Sequence, residues 1–165
     1  MDVPAIIDLE ASGFGRGSYP IEVAVALSDG TVISELIKPA ENWVHWSEEA
    51  EAIHGLSREY LMDNGKTPRE VAMQLNETLR GLVLFSDAWS FDSSWIGRLY
   101  DEADLVQRFR IDTLNRLLNE DELARWSSTK DAVVAKMALP IHRAGNDVQI
   151  LRATFLDVKG VTEGA

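Results

Sequence analysis

Five residues combine acid or imidazole chemistry with spacings that secondary structure can use: Asp8 with Glu10, Asp92 behind Phe91, and His142 five residues before Asp147. Alternate side chains of a strand share a face, so a strand through these residues projects Asp8 and Glu10 to one side and Ile7 and Leu9 to the other. Two carboxylates so placed repel each other and resist burial. A divalent cation relieves both costs, and carboxylate oxygens suit Mg²⁺ or Mn²⁺. A strand end open to water, with both acids hydrated, accommodates the pair as readily. His142 and Asp147 cannot share a helical face, because five residues turn a helix through about 140°. Pro140 therefore puts His142 on an incoming loop and Asp147 on the first turns of a helix. There the imidazole could lean over a cation held by the acid. The alternative is an exposed His and a first-turn acid that complements the helix dipole. Asp92 stands where a helix would begin, as a cap or as a ligand, and Asp87 competes with it in the same loop.

The elements that must position these residues follow from apolar periodicity and turn chemistry. Residues 4–10, 21–27, 31–38 and 82–86 read as strands, with residues 109–112 as a fifth, and Ser28-Asp29-Gly30 as a hairpin turn. Residues 47–53 and 57–62 read as short helices. Thr67-Pro68-Arg69-Glu70 is a helix start, with Thr67 as cap, Pro68 in the first turn and Glu70 closing a capping box. The later helices are expected over residues 92–102, up to Leu118, 121–125, 130–138 and 144–158. Three hairpin-like strands followed by alternating helices and strands make an α/β domain with a mixed sheet.

The 165-residue chain, 45% hydrophobic, is large enough for one domain with a full core, over residues 1–165. Its apolar runs fall short of the roughly 20 residues that span a bilayer, and its N-terminus has no leader-like pattern, so a soluble cytoplasmic protein is the default expectation. With no Cys, any metal must sit on carboxylates or His. The net charge of −11 argues against gripping a long duplex, which needs many Lys or Arg contacts to phosphate. Residues 1–56 hold ten acids and two bases, so the excess is concentrated where Asp8 and Glu10 lie. A nucleic-acid substrate would be held over a few nucleotides, at its end.

In combination these residues resemble the DEDDh exonucleases, a superfamily of ribonuclease-H-like fold that includes proofreading subunits, ribonuclease T and oligoribonuclease. Asp8 and Glu10 match the first motif, Phe91-Asp92 the second, and His142 with Asp147 the third. His54-Gly55-Leu56-Ser57 and Asp112-Thr113-Leu114 match minor features, and order and spacing agree over roughly residues 5–155. Many relatives carry His-Asn where this chain has Asp87-Ala88, and Thr-Thr-Gly or Met-Thr-Gly where it has Ala11-Ser12-Gly13. Those departures bear on substrate contacts rather than on the acidic set.

The resemblance implies a ribonuclease-H-like α/β fold, with a mixed five-stranded sheet flanked by helices. It also implies 3′→5′ exonuclease activity on single-stranded DNA or RNA, releasing nucleoside 5′-monophosphates. Asp8, Glu10, Asp92 and Asp147 would hold two Mg²⁺ or Mn²⁺ ions about 3.5–4 Å apart across the scissile phosphate, with His142 as general base. Phe14 occupies the place of an apolar wedge against the terminal base, and Trp43 and Trp46 are candidates for stacking on a neighbouring one. Core packing is the competing role for at least one Trp. His45 and His54 are read as structural. Relatives include homodimers and polymerase-associated subunits. Two other readings stand beside this one: a phosphodiesterase for dinucleotides or other small phosphate esters, and a non-catalytic binding module on the same fold.

Overall fold

A computed structural model describes residues 2–161. Five strands form one sheet: β1 (Ala5–Ala11), β2 (Pro20–Ala26), β3 (Val32–Leu36), β4 (Val83–Ser86) and β5 (Arg110–Thr113), in the order β3-β2-β1-β4-β5. β1, β2 and β3 pair antiparallel, whereas β4 and β5 run parallel to β1, so the sheet is mixed as expected. Six helices accompany it: α1 (Glu48–His54), α2 (Arg58–Asn64), α3 (Pro68–Leu79), α4 (Trp89–Ala103), α5 (Glu120–Met137) and α6 (Ala144–Val158).

The alternation along β1 separates two cores. Ala5, Ile7, Leu9 and Ala11 pack into the larger one, with Val71 and Leu75 of α3 and Ile96 and Leu99 of α4. Ile6 packs on the opposite face, with Leu151 and Phe155 of α6. Asp8 and Glu10 continue the Ile6 face towards the start of α6, where Ala24, the register partner of Asp8, packs with Ala144 and Val148. Where the helix begins, the apolar layer gives way to carboxylates.

Three boundaries differ from expectation. The stretches expected at 121–125 and 130–138 are one helix, α5, of 18 residues. Asn119 and Glu122 cap it reciprocally, and the Ser127-Ser128-Thr129 run lies within it, with the Ser128 hydroxyl donating back to the Arg125 carbonyl. The helical stretch expected before Leu118 is a 3₁₀ turn over Leu114–Leu117, capped by Thr113. Helix α4 starts at Trp89, so Asp92 sits in its first turn and caps nothing. The Thr67–Glu70 capping box forms as read.

Candidate active site

Asp8, on β1, is the centre of the site. β1 pairs with β4 only through Ala5 and Ile6, so beyond Ile6 the edge of β1 that faces β4 is open. Asp92 fills that gap. Its buried carboxylate accepts a 2.5 Å hydrogen bond from the Ser86 hydroxyl and a backbone hydrogen bond from Leu9. The first turn of α4 therefore places an acid against the strand that carries Asp8. The third contribution comes from α6. Asp147 lies in its first turn, and its Oδ1 accepts from the backbone N–H of His142 at 3.0 Å. His142 lies on the loop ahead of the helix with φ of 65°, a left-handed conformation that non-glycine residues rarely adopt.

The ligand atoms converge in two groups. Those of Asp8, Asp87 and Asp92 lie within 4.8 Å of one another, and so do those of Glu10, His142 and Asp147. All six residues line one open cleft of about 840 Å³. Seven carboxylate residues face this space, and Lys130 is the only Lys or Arg among the described residues that line it. Lys130 lies 3.7 Å from Asp87, beyond direct hydrogen-bonding distance.

Burial and mutual repulsion hold the acids towards their neutral forms. Burial raises Glu10 to about 9, helped by the Asp147 charge. Burial raises Asp92 to about 7, against the Ser86 hydrogen bond, with the Asp87 charge adding to the rise. Asp8 is pushed well above the usual carboxylate range by burial and then by Asp92, Asp147 and Glu10. Asp147 is also raised by burial, although the bond from His142 opposes this. Asp8 Oδ2 is buried with no hydrogen-bond partner. Six carboxylate and imidazole donors, an orphaned carboxylate oxygen, and Lys130 as the only Lys or Arg lining the cleft among the described residues fit a divalent cation such as Mg²⁺ or Mn²⁺.

The aromatic candidates separate. Phe14 is 68% exposed at the cleft, with ring contacts to Phe91 at 5.2 Å and Trp95 at 6.0 Å. Phe91 is also exposed there, a feature the sequence reading did not anticipate because the residue served only to locate Asp92. Trp43 must be corrected: it is 1% exposed, stacks on Tyr19 and lies under Arg98, so its ring is unavailable to a base. Its apolar surface is worth more in the core than at a substrate. Trp46 is partly buried outside the cleft lining, donating to Glu51 and contacting His54 edge-on. His45 bonds the Ser12 hydroxyl, a structural role as read. His54 is buried and accepts from the Leu56 backbone, although its ring also lines the cleft.

Glu22 was missed. It is the register partner of Glu10 on β2, buried, and joined to Arg143 by three hydrogen bonds of 2.7–3.2 Å. It also accepts from the Ala144 backbone N–H at 2.7 Å. A Glu inside the apolar run Pro20–Ala26 was the available signal.

No protein-family model matches the chain, and no curated protein matches it. Its structure does match solved structures of exonuclease I. The Escherichia coli enzyme in complex with a dA16 oligonucleotide superposes with a TM-score of 0.72 at 14% identity, over 98% of this chain and 41% of that one. A zinc-bound form of the E. coli exonuclease I–ssDNA complex gives 0.70 at 12% identity, over 96% of this chain and 41% of that one. A moderately thermophilic exonuclease I from Methylocaldum szegediense gives 0.65 at 16% identity, over 92% of this chain and 39% of that one. The chain thus spans about two fifths of the proteins it matches, and shares with that part the ribonuclease-H-like α/β fold.

Proposed function

We propose that the chain is a divalent-cation-dependent 3′→5′ exonuclease that removes nucleoside 5′-monophosphates from the 3′ end of single-stranded nucleic acid. One observation carries this reading. Asp8, Glu10, Asp92, Asp147 and His142 come from three distant stretches of sequence and converge on one cleft, beside the exposed rings of Phe14 and Phe91. The fold match to exonuclease I, solved with oligonucleotides, supports the same reading.

The work divides among these residues by chemistry. Asp8, Glu10, Asp92 and Asp147 are the set that would hold two Mg²⁺ or Mn²⁺ ions. When bound, such ions supply positive charge at the attacking and leaving oxygens of the phosphoryl transfer. His142, exposed at the cleft mouth and fixed at its backbone by Asp147, accepts the proton of the attacking water. The bond broken is that between phosphorus and the 3′ oxygen of the penultimate nucleotide. Phe14 and Phe91 offer apolar faces to the terminal base, and stacking accepts any base.

A phosphodiesterase for dinucleotides or other small phosphate esters is the second reading, favoured by a cleft in which Lys130 is the only Lys or Arg among the described residues. A binding module that has lost its chemistry is disfavoured by the complete set of four acids and His142. Digestion of 5′-labelled DNA and RNA oligonucleotides of several lengths separates these readings. An exonuclease shortens all the single strands stepwise, the esterase accepts only the shortest, and the module cleaves none.

A further inference from the structure

Asp147 and His142 belong to one short segment, and the strongest tie on it comes from elsewhere in the fold. Helix α6 begins without a side-chain cap of its own, since Arg143 at the cap position makes no such bond. The Ala144 N–H is satisfied instead by Glu22 of β2, whose carboxylate also takes both arms of the Arg143 guanidinium. A carboxylate at this end of a helix is favoured by the helix dipole, and paired Arg–carboxylate bonds fix orientation as well as distance. Glu22 is 3% exposed, so its geometry is set by the sheet and not by solvent. The residue immediately before Arg143 is His142, in its left-handed conformation. A strained backbone persists only where its surroundings over-determine it, and here two anchors flank it: Glu22 through Arg143, and Asp147 through the His142 N–H.

We infer that Glu22, acting through Arg143 and the Ala144 N–H, is a positioning residue that holds the His142 loop over the acidic cluster. The inference rests on the proposed role of His142 as base. Glu22 touches no substrate; it acts by restricting where the imidazole can be. Glu22→Gln keeps the length and one acceptor oxygen for Ala144 but loses the paired ionic bonds. Arg143→Lys keeps the charge but loses the fork.

The test combines a kinetic cycle with exchange. In Mn²⁺, Glu22→Gln and Arg143→Lys should each lower kcat by about 10–100-fold, as supporting partners of a site do, while KM stays within about twofold. Placed on a His142→Ala background, either substitution should cost almost nothing further, because the residue it positions is gone. In the metal-free protein, amide exchange should accelerate at His142 and Ala144 with the melting temperature little changed. An undiminished kcat, or an equal fold-loss with and without His142, would overturn the inference. If Glu22→Gln does not fold, Arg143→Lys, with a side chain 41% exposed, decides the matter alone. A wild-type protein without hydrolase activity would refute the proposed function, while the exchange data would still decide whether Glu22 holds the loop.

Discussion

Burial pushes Asp8, Glu10, Asp92 and Asp147 each towards the neutral form. For Glu10 the pH dependence has a definite sign. Its folded pKa, about 9, lies above the unfolded value near 4.5, so its stabilising contribution is intact below pH 4.5 and lost as pH rises towards 9. Asp92, raised to about 7, adds to the same trend over the lower part of that window. In EDTA the melting temperature should therefore fall between about pH 5 and pH 9, and Mg²⁺ or Mn²⁺ should flatten the decline. Glu10→Gln should melt higher than wild type in EDTA at pH 8 while losing activity; a lower melting point would remove the repulsion on which the metal assignment rests. For His142, replacement by Ala should cut turnover by about 10²–10⁴-fold with little change in metal-induced stabilisation, since the four carboxylates remain. Calorimetry of Mn²⁺ binding beside steady-state kinetics checks both halves, and near wild-type turnover would exclude the imidazole from the chemistry.

Among the elements, strand alternation and the Thr67–Glu70 helix start were legible because they depend on local chemistry. The pattern around Asp8 and Glu10 required one face to leave the core, and the face does so where α6 begins. Pro140 correctly separated a loop His142 from a helical Asp147. The continuity of α5 was not legible, because a Ser-Ser-Thr run reads as a break when neighbouring turns are ignored. Trp43 and Phe14 expose the same limit for side chains: an aromatic residue between elements carries no local mark of facing core or solvent. Their substitution should separate the two roles. Trp43→Ala should destabilise the fold by about 3–5 kcal/mol. Phe14→Ala should leave the melting curve in place and raise KM for oligonucleotides, at about 1–3 kcal/mol of lost stacking. Equal melting of both variants in denaturant titrations would contradict this division. A Glu inside the apolar run Pro20–Ala26 marked Glu22 as unusual, but its partners, Arg143 and Ala144, are more than a hundred residues away and carry no local sign of the pairing.

Across the whole molecule, charge decides how a polyanionic substrate can be held. The chain carries a net −11, and Lys130 is the only Lys or Arg lining the cleft among the described residues. Under the proposed function, binding should thus rely on cations taken up by the acidic cluster and on stacking more than on neutralised phosphates. Each phosphate held by a side chain contributes a slope of about −0.7 to log affinity against log salt for single strands, so the observed slope should be close to a single contact. Lys130→Met should bring it near zero; a steep slope retained by that variant would point to a phosphate track elsewhere on the surface. Beyond the cleft, no helix among the described residues is long and apolar enough to cross a membrane. The central claim is that the converged carboxylates and His142 perform exonucleolytic hydrolysis from a 3′ end. It is tested most directly by incubating a 5′-labelled single-stranded oligonucleotide with the protein in Mn²⁺. A ladder shortening one nucleotide at a time is expected, with 5′-mononucleotides released, and no cleavage in EDTA or with Asp92→Asn. Undiminished cleavage in EDTA, or by Asp92→Asn, would contradict it.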